Sequence, residues 1–207
     1  MNHKIGYWNG PGSEIPEIKK YEQSKSLEGQ DEWVLNLLSE KQNGVYLELG
    51  SGHPEIGNNT WILEKCFGWS GLSLEKNQDM VNLYLASRSN PCIAADAMAF
   101  NYVDYFRNCA FPKQIDYLQI DIDDRPENAN LLALIALPLS DYRFSVITIE
   151  HGCIINYKYS RLRDSQRLIL ESFGYRLIVQ GGNEDWWIDP VCVPYERYGF
   201  RFSIQVF

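Results

Sequence analysis

Six short runs of strand-forming residues alternate with stretches of helical spacing along most of this chain, and that alternation narrows the fold more than any other feature. The runs are "VYLELGS", "GLSLE", "PCIAAD", "IDYLQIDID", "FSVITIEH" and "YRLIV". Between them lie "NTWILEKCF", entered through Asn58 or Asn59, "QDMVNLYLASRS" with Met80, Leu83 and Tyr84 on one side, and "AMAFNYVDYFRN". "NANLLALIALP", stopped by Pro138, and "SRLRDSQRLILESFG", closed by Gly174, complete the set. An earlier helix, "GQDEWVLNLLSEK", spaces Trp33, Val34, Leu37 and Leu38 by threes and fours. Strands that alternate with helices make an α/β fold, a mostly parallel sheet with helices on both faces. No helix signal follows "YRLIV", only the loop "QGGNEDWWIDPVCVPYERYG", so a seventh, antiparallel last strand is expected in "RFSIQVF".

Residues 1–25 hold Gly6, Gly10, Pro11, Gly12 and Pro16 without a period, which predicts an arm or lid, and residues 26–207 read as a single domain. No apolar run approaches the roughly 18 residues of a membrane span, and the first residues carry no signal-type apolar core. A soluble, cytoplasmic protein is the expectation. Five scattered cysteines without a C-x-x-C pair read as buried free thiols. Acids outnumber bases 27 to 19, and the sole candidate basic stripe is Arg161, Arg163 and Arg167. A nucleic-acid partner is therefore disfavoured.

The first strand breaks into Gly50-Ser51-Gly52. In an open α/β sheet, ligands sit beyond the carboxyl ends of the strands where strand order reverses, and two glycines there let backbone approach a bound molecule closely. A dinucleotide fingerprint needs a third glycine where this chain has Glu55, and no G-K-[ST] phosphate loop occurs. Glu48 is placed to hold a cation nearby. Glu75 closes the second strand, within reach of ribose hydroxyls, and Asp96 follows the third, positioned to accept from an adenine amino group. This describes an adenosine site without phosphates, and S-adenosyl-L-methionine is the cofactor that fits.

The segments "EGQDEWVLNLL", "NGVYLELGSG", "NNTWILEKCFGWSGLSLEKN", "DYLQIDID", "ITIEH", "LILESFGYRLI" and "EDWWIDP" resemble class I S-adenosylmethionine-dependent methyltransferases, and within them the FkbM-type family. The likeness runs from about Gln23 to Pro190. It implies a Rossmann-like, doubly wound sheet and methylation of a hydroxyl, often on a sugar, glycan or glycosylated natural product. It places Glu48, Gly50 and Gly52 at the methionine part, with Ser51, Asn59 and Thr60 on the same loop. Glu75 would take the ribose, Asp96 the adenine, and Asp121 would lie near the methyl group. His53-Pro54 stands where the family often carries Asp-Gly.

An alcohol needs a general base, or a metal that acidifies it, before it can attack a methyl group. Asp121 and Asp123 point to one side of the fourth strand, with Asp124 beyond, and Glu150-His151 end the fifth. His151 is the candidate base, with Asp121 and Asp124 as further catalytic acids. Asp121, Asp123, Glu150 and His151 form a candidate oxygen-rich site for Mg²⁺, Mn²⁺ or Ca²⁺, similar to the metal-dependent O-methyltransferases of the catechol and macrolide-sugar types. Asp123 and Asp124 equally suit a helix cap. Tyr157, Tyr159 and Arg161 are placed to meet an acceptor, or to form a solvated loop. Trp186 and Trp187 among three acids have the composition of a sugar platform, or of the core of a last hairpin. Two other functions compete: an NAD- or nucleotide-sugar-dependent oxidoreductase, and a binding module that keeps the cofactor without turnover.

Overall fold

The computed structural model describes residues 18–122, 126–153 and 156–193. Along them run α1 (Gln30–Leu37), β1 (Val45–Leu49), α2 (Trp61–Phe67), β2 (Ser70–Glu75), α3 (Gln78–Ser87), β3 (Cys92–Ala94) and α4 (Tyr102–Asn108). There follow β4 (Gln114–Ile120), α5 (Ala129–Ala136), β5 (Arg143–Glu150), a 3-10 turn (Tyr157–Tyr159), α6 (Ser160–Ser172), β6 (Arg176–Gln180) and β7 (Glu184–Ile188). The strands form one seven-stranded sheet in the order β3-β2-β1-β4-β5-β7-β6. β1 pairs in parallel with both β2 and β4, so strand order reverses between β1 and β4, and the crevice opens at their carboxyl ends.

Side chains alternate across each strand and divide the core in two. Leu47 and Leu49 of β1 face α4, α5 and α6 through Phe106, Leu134 and Leu170. Tyr46 faces α1 and α2 through Val34, Ile62 and Leu63. Helix entries are set by side-chain caps: the Asn77 carboxamide oxygen accepts from the Asp79 and Met80 amides, and that of Asn101 from the Asp104 amide. The cap of α2 is Thr60, not Asn58 or Asn59 as expected. Asn58 acts two residues earlier, its Oδ1 accepting from the Thr60 amide at 3.0 Å. Gly174 takes the left-handed conformation expected just past the end of α6, at φ 84°.

Among the described residues the antiparallel last strand is Glu184–Ile188, read from sequence as loop; the expected strand "RFSIQVF" lies outside them. β7 lies between β5 and β6, antiparallel to both. A strand with neighbours on both edges and helices on both faces buries every residue, and all five of these are buried. That corrects the sugar platform: Trp186 and Trp187 are 1% and 0% exposed, with the Trp186 ring 5.0 Å from that of Trp33 on α1.

Of the expected arm, residues 1–17 lie outside the described residues. The part that follows is fastened to α1: Asp31 accepts from the hydroxyls of Ser24 and Ser26, and Glu32 from the Tyr21 amide and the Lys20 ammonium. Among the described residues no helix is long and apolar enough to cross a membrane.

Candidate cofactor and acceptor site

At the reversal point lies a cavity of about 410 Å³, lined on one side by Gly50, Ser51 and Gly52 and on the other by Glu75, Asp96, Gln119 and Asp121. Met80, Ala97, Met98, Leu74 and Ile122 add apolar wall, while the exposed side chains of Leu27 and Ile56 form a lip. Size and mixed lining suit a small cofactor.

The glycines do separable jobs. Gly50 has φ 81°, and a Cβ there would overlap the carbonyl oxygen of Asp121 and lie 2.8 Å from its carbon. The ends of β1 and β4 meet so closely that no side chain fits. Gly52, at φ 53°, has nothing within 4 Å of a Cβ, and its surroundings leave space on the cavity side. Its amide donates to Glu75 Oε2 at 2.9 Å, while Glu75 Oε1 accepts from the Asn77 amide at 2.8 Å. The carboxylate is thereby fixed in the wall with lone pairs left over for further donors. Asp96 Oδ1 accepts from the Met98 amide at 2.9 Å.

Two buried amides in the wall have oxygens with no hydrogen-bond partner among the described residues: Asn59 Oδ1 and Gln119 Oε1. Buried polar atoms are ordinarily paired, so both mark places where a ligand's donors belong. Asn59 was expected at the site. Gln119 was overlooked, although its place two residues before Asp121 puts it on the same strand face.

Glu48 lines the cavity as expected, whereas Thr60 does not. Glu48 is 1% exposed and accepts from Asn58 Nδ2 at 3.1 Å, Thr60 Oγ1 at 2.9 Å and Ser73 Oγ at 2.6 Å. Burial pushes its carboxyl up from the ordinary range, against the opposing pull of the Arg88 guanidinium and these three donors. The nearby cation is a side chain of the protein itself. Thr60 is fully buried in the same network and is absent from the cavity wall. Arg88 knits the network together. Its Nε donates to Glu64 at 2.8 Å, one terminal nitrogen to the Pro54 carbonyl and Asn58 Oδ1, and the other to Tyr46 and Thr60. Helix α3 thus grips the segment that follows the glycine loop. His53 braces the same segment, its Nδ1 accepting from the Glu55 and Ile56 amides.

On the acceptor side, Asp121 lines the cavity, and Asp123 and Asp124 lie outside the described residues. Glu150 ends β5, its Oε2 3.4 Å from Asn130 Nδ2, while the Asn130 oxygen accepts from the Ile122 amide. The His151 side chain is 1% exposed, with Nε2 3.6 Å from Asp185 Oδ1 and the ring absent from the cavity wall. Nδ1 accepts from the Cys153 amide at 3.2 Å, while Nε2 has no hydrogen-bond partner among the described residues. Asp185 also receives two hydrogen bonds from Arg167, at 2.6 and 2.8 Å. Burial pushes the Asp185 carboxyl up, but the two hydrogen bonds from Arg167 and the nearby imidazole prevail and hold it below the ordinary range.

Among the described residues no group of three or more His, Cys, Asp and Glu side chains is placed to hold a metal ion. Tyr157 and Arg161 are exposed and stand outside the cavity wall. Gln119 in the wall and Arg88 behind the loop escaped the sequence reading. Two acids of β7 are also paired with distant residues: Glu184 accepts from Gln30 Nε2 at 2.7 Å, and Asp185 from Arg167.

No protein-family model matches the chain, and no curated protein matches it. Solved structures do. A TehB-like SAM-dependent methyltransferase from Corynebacterium glutamicum is 14% identical, with 79% of this chain and 89% of that one covered at a TM-score of 0.50. Cofactor-bound Rv0187 from MTB is 16% identical over 85% of this chain and 84% of that one, at 0.52. An O-methyltransferase from Bacillus cereus, in complex with SAH, is 16% identical over 84% and 82%, at 0.51. At such identities the likeness is one of architecture, and the chain has the Rossmann-like fold of these solved methyltransferases.

Proposed function

We propose that this chain is an S-adenosylmethionine-dependent O-methyltransferase that acts on the hydroxyl of a small molecule or glycan. The observation that carries the reading is the make-up of the cavity: a glycine loop, a fixed carboxylate after β2 and another after β3, with no phosphate-binding element. Glu75 is the acceptor for the ribose hydroxyls and Asp96 for the adenine amino group. The orphaned oxygens of Asn59 and Gln119 are acceptors that suit an ammonium group. The donor set therefore fits the cofactor, which when bound supplies an electrophilic sulfonium methyl group. What remains for the protein is to hold the acceptor in line and to remove its proton. The choice of a sugar hydroxyl comes from the family resemblance alone, since Trp186 and Trp187 belong to the core.

Glu75→Gln is the sharp test of the cofactor assignment. The amide keeps the shape but replaces one acceptor oxygen by a donor facing the Gly52 amide or the ribose. Hydrogen bonds to a charged group contribute about 1.5–3 kcal/mol, so S-adenosylhomocysteine binding should weaken on the order of 10- to 100-fold. Equilibrium dialysis measures this directly. Equal affinity in the two proteins would remove Glu75 from the site.

A further inference from the structure

The charge of the cavity follows from the order of the strands. Neighbouring strands lie about 4.8 Å apart, and the order β3-β2-β1-β4 sets Asp96, Glu75, the glycine loop and Asp121 side by side along the carboxyl-end rim. The row spans three strand spacings, roughly 14 Å. Main-chain contacts fix it at both ends of the loop: the Gly52 amide donates to Glu75, and the backbone of Asp121 abuts Gly50.

Glu75 is held by the amides of Gly52 and Asn77, and Asp96 by that of Met98. An amide is a dipole without net charge, so it anchors a carboxylate and leaves the negative charge in place. Glu48, the fourth acid of the wall, differs. It accepts from Asn58 and Thr60, and the Arg88 guanidinium donates to the oxygens of the same two side chains, so a cation lies directly behind it. Among the described residues the wall contains one ammonium, that of Lys76, on an exposed side chain. His53 turns Nδ1 to the Glu55 and Ile56 amides as an acceptor. A ligand with donors is called for independently by Asn59 and Gln119, which are 5% and 4% exposed and carry unpartnered oxygens in the same wall. The wall is therefore rich in acceptors and negative charge, which a cation complements better than a neutral ligand.

We propose that these carboxylates, and Asp121 above all, make the site select its methyl donor by charge, so that S-adenosylmethionine binds more tightly than S-adenosylhomocysteine. This rests on the methyltransferase reading above. With Asp96 at the adenine and Glu75 at the ribose, the sulfur lies one carbon beyond the ribose, over the glycine loop. The next strand end along the row is that of Asp121, which therefore stands about one strand spacing, roughly 5 Å, from the sulfur. Opposite charges at that separation in a half-exposed wall favour the charged ligand on the order of tenfold. The two compounds differ only by the methyl group and its charge, so their comparison isolates this effect. Once the methyl group has left, the wall no longer attracts the neutral sulfur, and the product yields its place to a fresh donor.

Isothermal calorimetry on the full chain tests this without an acceptor. At low salt, wild type should bind S-adenosylmethionine about tenfold more tightly than S-adenosylhomocysteine, and the ratio should fall toward one in about 0.5 M NaCl. Sinefungin, in which an amine-bearing carbon replaces the sulfur and is positively charged at neutral pH, should side with S-adenosylmethionine. Asp121→Asn should weaken S-adenosylmethionine about tenfold and leave S-adenosylhomocysteine within about twofold of wild type. Asp96→Asn, at the far end of the row, should weaken both compounds by similar factors. If Asp121→Asn does not fold, the salt dependence and the sinefungin comparison in wild type still decide. Wild type that binds S-adenosylhomocysteine as tightly as S-adenosylmethionine, or a ratio that neither salt nor Asp121→Asn changes, overturns the proposal and leaves the cofactor site standing. Binding of neither compound removes the methyltransferase reading, and the proposal falls with it.

Discussion

Gly50→Ala should abolish cofactor binding and destabilise the protein by about 2–5 kcal/mol, the sum of left-handed strain on a non-glycine residue and forced overlap with rigid backbone. At φ 81° the new methyl group would run into the carbonyl of Asp121, whose own amide donates to Leu49 at 2.9 Å. No rotamer change relieves a clash with main chain, so the ends of β1 and β4 must separate, and the cavity wall goes with them. Gly52→Ala is the matched comparison. It meets nothing within 4 Å and carries only the strain of its backbone, about 1 kcal/mol. Chemical denaturation of the two variants, with cofactor titration of whatever remains folded, separates them. Equal behaviour would mean that the close approach at Gly50 is unimportant.

Arg88→Met should destabilise by a similar amount, about 3–5 kcal/mol, the usual consequence of removing one partner from a buried ion pair. The side chain is fully buried and the partner Glu64 carboxylate 6% exposed. Every guanidinium N–H is placed against an acceptor, and the plane stacks 4.7 Å from the centre of the Tyr84 ring. Without the cation, Glu48 keeps its three neutral donors but loses the positive charge that opposes its burial. Arg88→Lys should rescue little, because a single ammonium cannot reach acceptors on α2, on Tyr46 and on the Pro54–Thr60 segment at once. The loop should loosen as well, so S-adenosylhomocysteine affinity should fall together with the denaturation midpoint. A stable Arg88→Met protein with normal affinity would contradict this view of the network.

The parallel part of the sheet was legible because its strands are short apolar runs separated by helical spacing, and a glycine pair at the end of the first run is hard to explain without a ligand. β7 was not. Two of its five residues are acids and its flanks are rich in glycine, asparagine and proline, so it reads as loop, whereas "RFSIQVF" has the stronger strand pattern. What makes "EDWWI" a buried strand is partners far along the chain: Gln30 for Glu184, Arg167 and His151 for Asp185, and Trp33 for Trp186. No local pattern announces such pairings. For the same reason the burial of His151 was hidden in the sequence, since Asp185 beside it lies on a strand read as loop. Arg88 looked like an ordinary end of a surface helix, and only the fold turns it inward. Glu75 and Asp96, at the ends of their strands, needed only the topology, and both line the cavity.

Isothermal calorimetry of the wild-type chain with S-adenosylmethionine, S-adenosylhomocysteine and NAD⁺ tests the central claim most directly. Saturable binding of both sulfur compounds at one site, with no heat from NAD⁺, is the predicted result. Saturable binding of NAD⁺, or no binding of either sulfur compound, would contradict it.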